Sequence, residues 1–158
     1  HFGLPYAFAS HFAPEQLLDA MPTYRELFKP SDRLAKPYAA FVMNVVAADT
    51  DEEAAYLFTT LQQNVVRMRR NTRGQLPPPI ASLDDFCEPQ EKASAAHTLR
   101  CSAVGSLQTV RDQMQHWLDR TGANEIIITG QIHDHQARLK SFEIAAEAAK
   151  GLRFKSAA

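Results

Sequence analysis

The run YAAFVMNVVAA at residues 38–48 decides the fold. It is continuously apolar, rich in Val, and longer than a half-exposed strand needs, so it reads as a strand buried on both faces. Strands of that kind belong to parallel sheets, whose faces are covered by helices. The sequence TDEE at 50–53 follows at once and forms a capping box, in which the Thr50 hydroxyl and the Glu53 carboxylate satisfy the first amides of a helix. Ala54, Leu57, Phe58, Leu61, Val65 and Met68 then continue as one helical face.

Towards the N-terminus, LPYAFA at 4–9 is a short apolar stretch that suits a first buried strand, running into the loop Ser10-His11-Phe12-Ala13-Pro14. Residues 14–28 carry a helical stripe of Leu17, Leu18, Met21, Tyr24, Leu27 and Phe28, with Pro14 in the first turn and Pro22 expected to kink or restart the helix. Towards the C-terminus, the second helix ends among Arg67, Arg69, Arg70 and Arg73, and Leu76-Pro77-Pro78-Pro79 forbids its continuation. Residues 71–104 read as a long insertion loop, a possible lid, with a short helix near 88–97. Gly105-Ser106 opens another amphipathic helix with Ser106 as its cap and Gly122 past its end. EIIIT at 125–129 is expected to be a third buried strand, Gly130 to His135 the loop after it, and a last helix runs to about residue 150.

Strands alternating with helices predict an α/β fold with about three parallel strands, flanking helices and right-handed crossovers. A complete (β/α)8 TIM barrel needs eight strands and about 250 residues. Residues 1–158 are therefore expected to be a single partial barrel domain, entered abruptly at His1-Phe2-Gly3-Leu4 without an initiator Met. An open sheet of three strands leaves two bare edges, which must be covered or pair with another chain.

Composition narrows the function. With 17 basic and 18 acidic side chains the formal net charge is -1, so no global field draws the chain to nucleic acid or anionic lipid. No stretch approaches the roughly 20 apolar residues of a membrane span, and no basic-then-apolar signal opens the chain. Cys87 and Cys101 are too few and too far apart for a disulfide framework or a CxxC unit. They read as reduced thiols of a soluble, cytoplasmic protein.

In parallel α/β folds, ligands sit at the carboxyl ends of strands. Three loops qualify: 10–12, 47–50 and 130–135. His11 could contact a bound ring or donate a proton, or simply hydrogen-bond its own loop. His133-Asp134-His135 resembles an HxH metal pair of barrel hydrolases, with Asp49 and His11 the only further candidate ligands, yet Asp134 is equally explained as a helix cap. No metal site is expected. The arginine cluster could hold phosphate or simply complement a helix dipole, and Gly105-Ser106 could bind an anion or act as an ordinary cap. A third reading, without catalysis, is an oligomeric module whose strand edges pair in a symmetric assembly.

Taken together, GLPYAFASHFAP at 3–14, the LPPP after an arginine-rich helix end, VGSxxTV at 104–110, TGxxEIIIT at 121–129 and IHDHxxRLxSF at 132–142 resemble the luciferase-like, flavin-dependent monooxygenase family, close to its alkanal-monooxygenase branch. The resemblance implies the C-terminal part of a barrel that binds reduced FMN at its mouth. The reduced FMN would come from a separate reductase, and one atom of O2 would pass to an aldehyde or other small organic substrate. It further implies that Ser10, His11, Phe12, His133 and Asp134 lie on the flavin side, His11 as a catalytic residue. The earlier strands, including a serine-rich phosphate loop, are missing. The chain alone is thus expected to be inactive, to bind FMN poorly, and to need the N-terminal part of the barrel, with homo-oligomerisation a further expectation.

Overall fold

The computed structural model describes residues 2–72 and 74–154. Four strands form one parallel sheet: β1 (Tyr6–Phe8), β2 (Ala39–Ala47), β3 (Ser102–Gly105) and β4 (Glu125–Thr129). Five helices flank it: α1 (Leu17–Leu27), α2 (Asp51–Arg69), α3 (Pro89–Thr98), α4 (Leu107–Thr121) and α5 (His135–Ala149).

All three other strands pair with β2. β1 runs beside residues 39–41, β3 beside 44–47 and β4 beside 40–44. A residue has only two strand edges, and β4 overlaps both of the others. β1 and β3 therefore lie end to end along the edge of β2 opposite β4. The chain leaves the sheet at the end of β1 where β3 enters it.

Residues 38–48 behave as their composition predicts, because side chains alternate between two covered faces. Phe41, Met43 and Val45 point into the main core with Leu17 and Met21 of α1, Val110, Met114 and Trp117 of α4, and Ala145 and Ala148 of α5. Val46 and Ala48 face the other way at the carboxyl end and meet Ala54 and Leu57 of α2 and Ile132. Fully burying such side chains contributes roughly 1.5–3 kcal/mol each, which is why β2 anchors the sheet.

The α/β class with parallel strands and flanking helices is as expected, but the strand count is four rather than about three. β3 escapes a pattern reading because SAVG is only four residues with alternating burial. Its outer edge is not bare: the Gln113 side-chain amide accepts from Val104 N at 2.8 Å and donates to Val104 O at 3.3 Å, standing in for a further strand. The expectation that 125–129 is a buried strand is corrected. Ile126 and Ile128 pack, partly buried, against the main core, whereas Ile127 is 40% exposed. β1 is likewise only partly buried, since both strands lie at margins of the sheet where one neighbour is lacking. Pro22 sits inside α1 without ending it.

Residues 71–104 include α3 and β3 and build a second core. Leu83, Cys87, Ala95 and Leu99 pack on Leu61, Val65 and Val66 of α2. The proline run is tied to the same helix: Thr60 Oγ1 donates to Pro77 O at 3.1 Å and Gln63 Nε2 to Pro78 O at 2.9 Å. Prolines lack N–H groups, so their carbonyls are what such a segment offers for anchoring.

Candidate functional site

The point where β1 gives way to β3 gathers the polar groups of the sheet. Ser10 is fully buried and its Oγ donates to Val42 O at 2.5 Å. Asn44 is 1% exposed in an otherwise apolar strand, and its Nδ2 donates to His11 O at 3.1 Å. A buried amide is costly unless bonded, so this contact fixes the 10–12 turn onto β2. The His11 ring lies half-buried between solvent and seam. Its Nδ1 is the one buried side-chain nitrogen or oxygen without a hydrogen-bond partner among the described residues. Burial lowers the His11 pKa from its ordinary value, favouring the neutral imidazole. Phe12, next in the turn, is 61% exposed, a large aromatic surface beside a strand end.

Beneath them lies Cys101, wholly buried, its thiol 4.0 Å from Val42 O. Burial pushes that thiol up to about 11, against smaller opposing effects of the Ser10 hydroxyl and the Arg100 charge. The thiolate, the reactive form, is thereby suppressed.

At the far edge of β2, the loop after β4 presents the other candidates. His133 donates through Nδ1 to Leu76 O at 2.9 Å, joining this loop to the proline run. Asp134 caps α5, its Oδ1 accepting from Ala137 N at 2.7 Å. His135 begins the helix rather than continuing an extended strand, and its Nδ1 lies 3.0 Å from Arg138 Nη2. Asp49 is engaged by Lys140. Among the described residues no three His, Cys, Asp or Glu side chains gather as a metal site. Because the strands are parallel, the loops of β1 and β4 leave the same end of the sheet, on opposite sides of β2.

The two other anion candidates are occupied from within. Arg69 binds Ser94 and Thr98, Arg70 grips Glu91 with contacts of 2.7 and 2.5 Å, and both Arg67 and Arg70 lie over the Phe86 ring. Arg73 lies outside the described residues. These cations staple α3 to α2. Ser106 holds the cap position of α4 but its side chain makes no cap bond. Asp51 supplies the cap instead, its Oδ1 accepting from Ser106 N at 2.6 Å and its Oδ2 from Thr109 Oγ1 at 3.0 Å. Gly105, at φ +148°, makes room for it, since a Cβ there would stand 2.6 Å from Asp51 Oδ1. The capping box of α2 is likewise displaced: Thr50 accepts from Glu53 N, while Glu53 reaches Asp49 N rather than Thr50 N.

Sequence reasoning did not pick out Asn44, Asp51, Gln113 or Arg138. Asn44 alone carried a signal, as the single polar residue inside the apolar run. Asp51 acts on a segment 55 residues away, whereas Gln113 and Arg138 act on Val104 and His135, nine and three positions earlier.

No family model matches the chain. It is 52% identical over 143 residues to a luciferase-like monooxygenase of Escherichia coli K12, an alignment covering 90% of this chain and 43% of that protein. The chain is therefore similar to one part of a luciferase-like monooxygenase. A Bacillus subtilis relative, the uncharacterized protein YvbT, is 38% identical over 145 residues, with 43% of its length covered. The chain thus spans less than half the length of these relatives. Among solved structures, apo-MsnO8 superposes with a TM-score of 0.84 at 33% identity, covering 98% of this chain and 47% of that one. The oxygenating constituent of 3,6-diketocamphane monooxygenase from Pseudomonas putida, a type II Baeyer-Villiger monooxygenase in complex with FMN, superposes with a TM-score of 0.56. At 18% identity it shares the fold, with 97% of this chain and 50% of that one covered. No helix among the described residues is long and apolar enough to cross a membrane.

Proposed function

We propose that this chain supplies the C-terminal part of a (β/α) barrel in a flavin-dependent monooxygenase, and that catalysis requires the N-terminal part of that barrel. The observation that carries the reading is the 52% identity, sustained over nine-tenths of the chain, to a luciferase-like monooxygenase of which it matches under half. The bare outer edge of β4 and the partly exposed β1 are where further strands would add.

Reduced FMN, supplied by a separate reductase, would provide the oxygen-activating chemistry, with O2 as co-substrate and an aldehyde or other small organic molecule as acceptor. The residues present fit one side of a flavin site. The exposed Phe12 ring offers a face for a planar ligand, and the neutral His11 imidazole carries a buried nitrogen left without a partner. On this reading His11 is the catalytic residue, able to take or return a proton at its ring. Ser10 and Phe12 shape that side of the site, and His133 and Asp134 form the opposite lip. The first part of segment 71–104, held to His133 through Leu76, would act as the covering lid that excludes water. A cytoplasmic location and a homo-oligomeric state complete the proposal. The bare β4 edge also supports a second reading, a non-catalytic module that associates through that edge.

The test is reconstitution. This chain, co-expressed with the part of the Escherichia coli relative that it does not match, should co-purify as a complex, bind FMN, and consume O2 in the presence of a reductase and a long-chain aldehyde. His11→Ala in that complex should lower turnover while leaving the complex intact. A complex that forms but neither binds FMN nor turns over would refute the enzymatic reading in favour of the module.

A further inference from the structure

A cavity of about 370 Å³ opens at the end of β4 among Leu76, Gln131, His133, His135 and Arg138. We propose that it is a binding site for a small anionic group, a carboxylate or a phosphate, held by the Arg138 guanidinium, the His135 Nε2–H and the Gln131 amide. This goes beyond the flavin reading and does not need a completed barrel.

The hydrogen-bond roles of the lining groups follow from their partners. Arginine can only donate, so in its 3.0 Å contact with Arg138 the His135 Nδ1 is the acceptor and the ring proton sits on Nε2. Gln131 accepts from Asn64 Nδ2 through its Oε1 at 3.3 Å, so what remains to it is the donating NH2. His133 is turned to Leu76 O and fixes the wall of the cavity. No carboxylate lines the space. The nearby acids are engaged elsewhere, Asp134 with the α5 backbone and Asp49 with Lys140.

Arg138 accordingly differs from the arginines that staple α3. Among the described residues it has no carboxylate within ion-pair distance, and its side-chain partner is a second group able to carry positive charge. A guanidinium so placed, with donors around it, is complementary to a planar or tetrahedral oxyanion.

The experiment is an NMR titration of this chain at constant ionic strength. Inorganic phosphate, acetate, FMN and riboflavin are added separately, and the ring signals of His133 and His135 and the Arg138 guanidinium are followed. Phosphate or acetate should shift these signals saturably. Arg138→Gln should weaken that binding about tenfold or more, as expected for one charge-assisted bond. Gln131→Glu keeps an acceptor for Asn64 while placing negative charge in the cavity, and should weaken it comparably. It serves as the independent variant if Arg138→Gln does not fold. FMN acting where riboflavin does not would assign the anion to the phosphate tail of the cofactor. Phosphate and acetate acting while FMN does not would assign it to a separate small anion. No saturable shift with any anion, or affinities unchanged within twofold in both variants, overturns the proposal. Loss of His11-dependent turnover in the reconstituted complex tests the flavin reading separately.

Discussion

Replacing Asn44 should loosen the turn that carries His11. In the structure Asn44 Nδ2 donates to His11 O at 3.1 Å from a side chain that is 1% exposed. Asn44→Ala removes a neutral hydrogen bond worth about 1 kcal/mol and leaves the His11 carbonyl short of a partner, which costs about 1–3 kcal/mol more. A small cavity adds to the loss. The two hydrogen-bond contributions alone come to about 2–4 kcal/mol, which for a chain of this size lowers Tm by at least roughly 4–16 °C. Asn44→Leu refills the space without restoring the bond, so the two variants separate cavity from hydrogen bond. Thermal unfolding followed by circular dichroism gives the stability, and the His11 ring signals in NMR report the turn. Both variants should be destabilised and both should move those signals. If Asn44→Leu is as stable as the parent with His11 unmoved, Asn44 is only filling space and the account of the seam is wrong.

Three further outcomes follow from other parts of the fold. Gly105→Ala, at φ +148° and with its new methyl 2.6 Å from Asp51 Oδ1, should destabilise by about 2 kcal/mol or more in chemical denaturation; a change within 0.5 kcal/mol would show that the Asp51 cap yields freely. Arg70 holds the Glu91 carboxyl down at about 2 against an ordinary 4.5, so this pair stabilises the fold above pH 4.5 and the contribution fades as pH falls towards 2. Glu91→Gln should flatten stability against pH across that window, only modestly because the pair is exposed and screened by salt, and an unchanged profile would remove the pair from the account. Cys101, with its thiol raised to about 11 and its side chain wholly buried, should stay unmodified by a thiol reagent at pH 8 until the chain unfolds; rapid labelling of the native chain at that position, read by mass spectrometry, would contradict the packing.

The sequence by itself determined the elements whose cause is local. An apolar run long enough to be covered on both faces made β2, Thr50 capped α2, Gly122 in the left-handed conformation closed α4, and Asp134 capped α5. Each depends on residues within a few positions of one another, so period and cap chemistry reveal them. Tertiary structure decided what depends on neighbours distant in sequence. β3 exists because β1 leaves half an edge of β2 free and because Gln113 seals the other side of Val104. The exposure of Ile127 follows from the place of β4 at the sheet margin, which three consecutive isoleucines do not disclose. The cap of α4 comes from Asp51, 55 residues earlier. The arginines of 67–70 fold onto the neighbouring segment because Phe86 and Glu91 meet them there. His11 was legible as a strand-end histidine, but its buried, unpartnered nitrogen arises only where β1, β2 and β3 converge, and that convergence is a property of the folded chain.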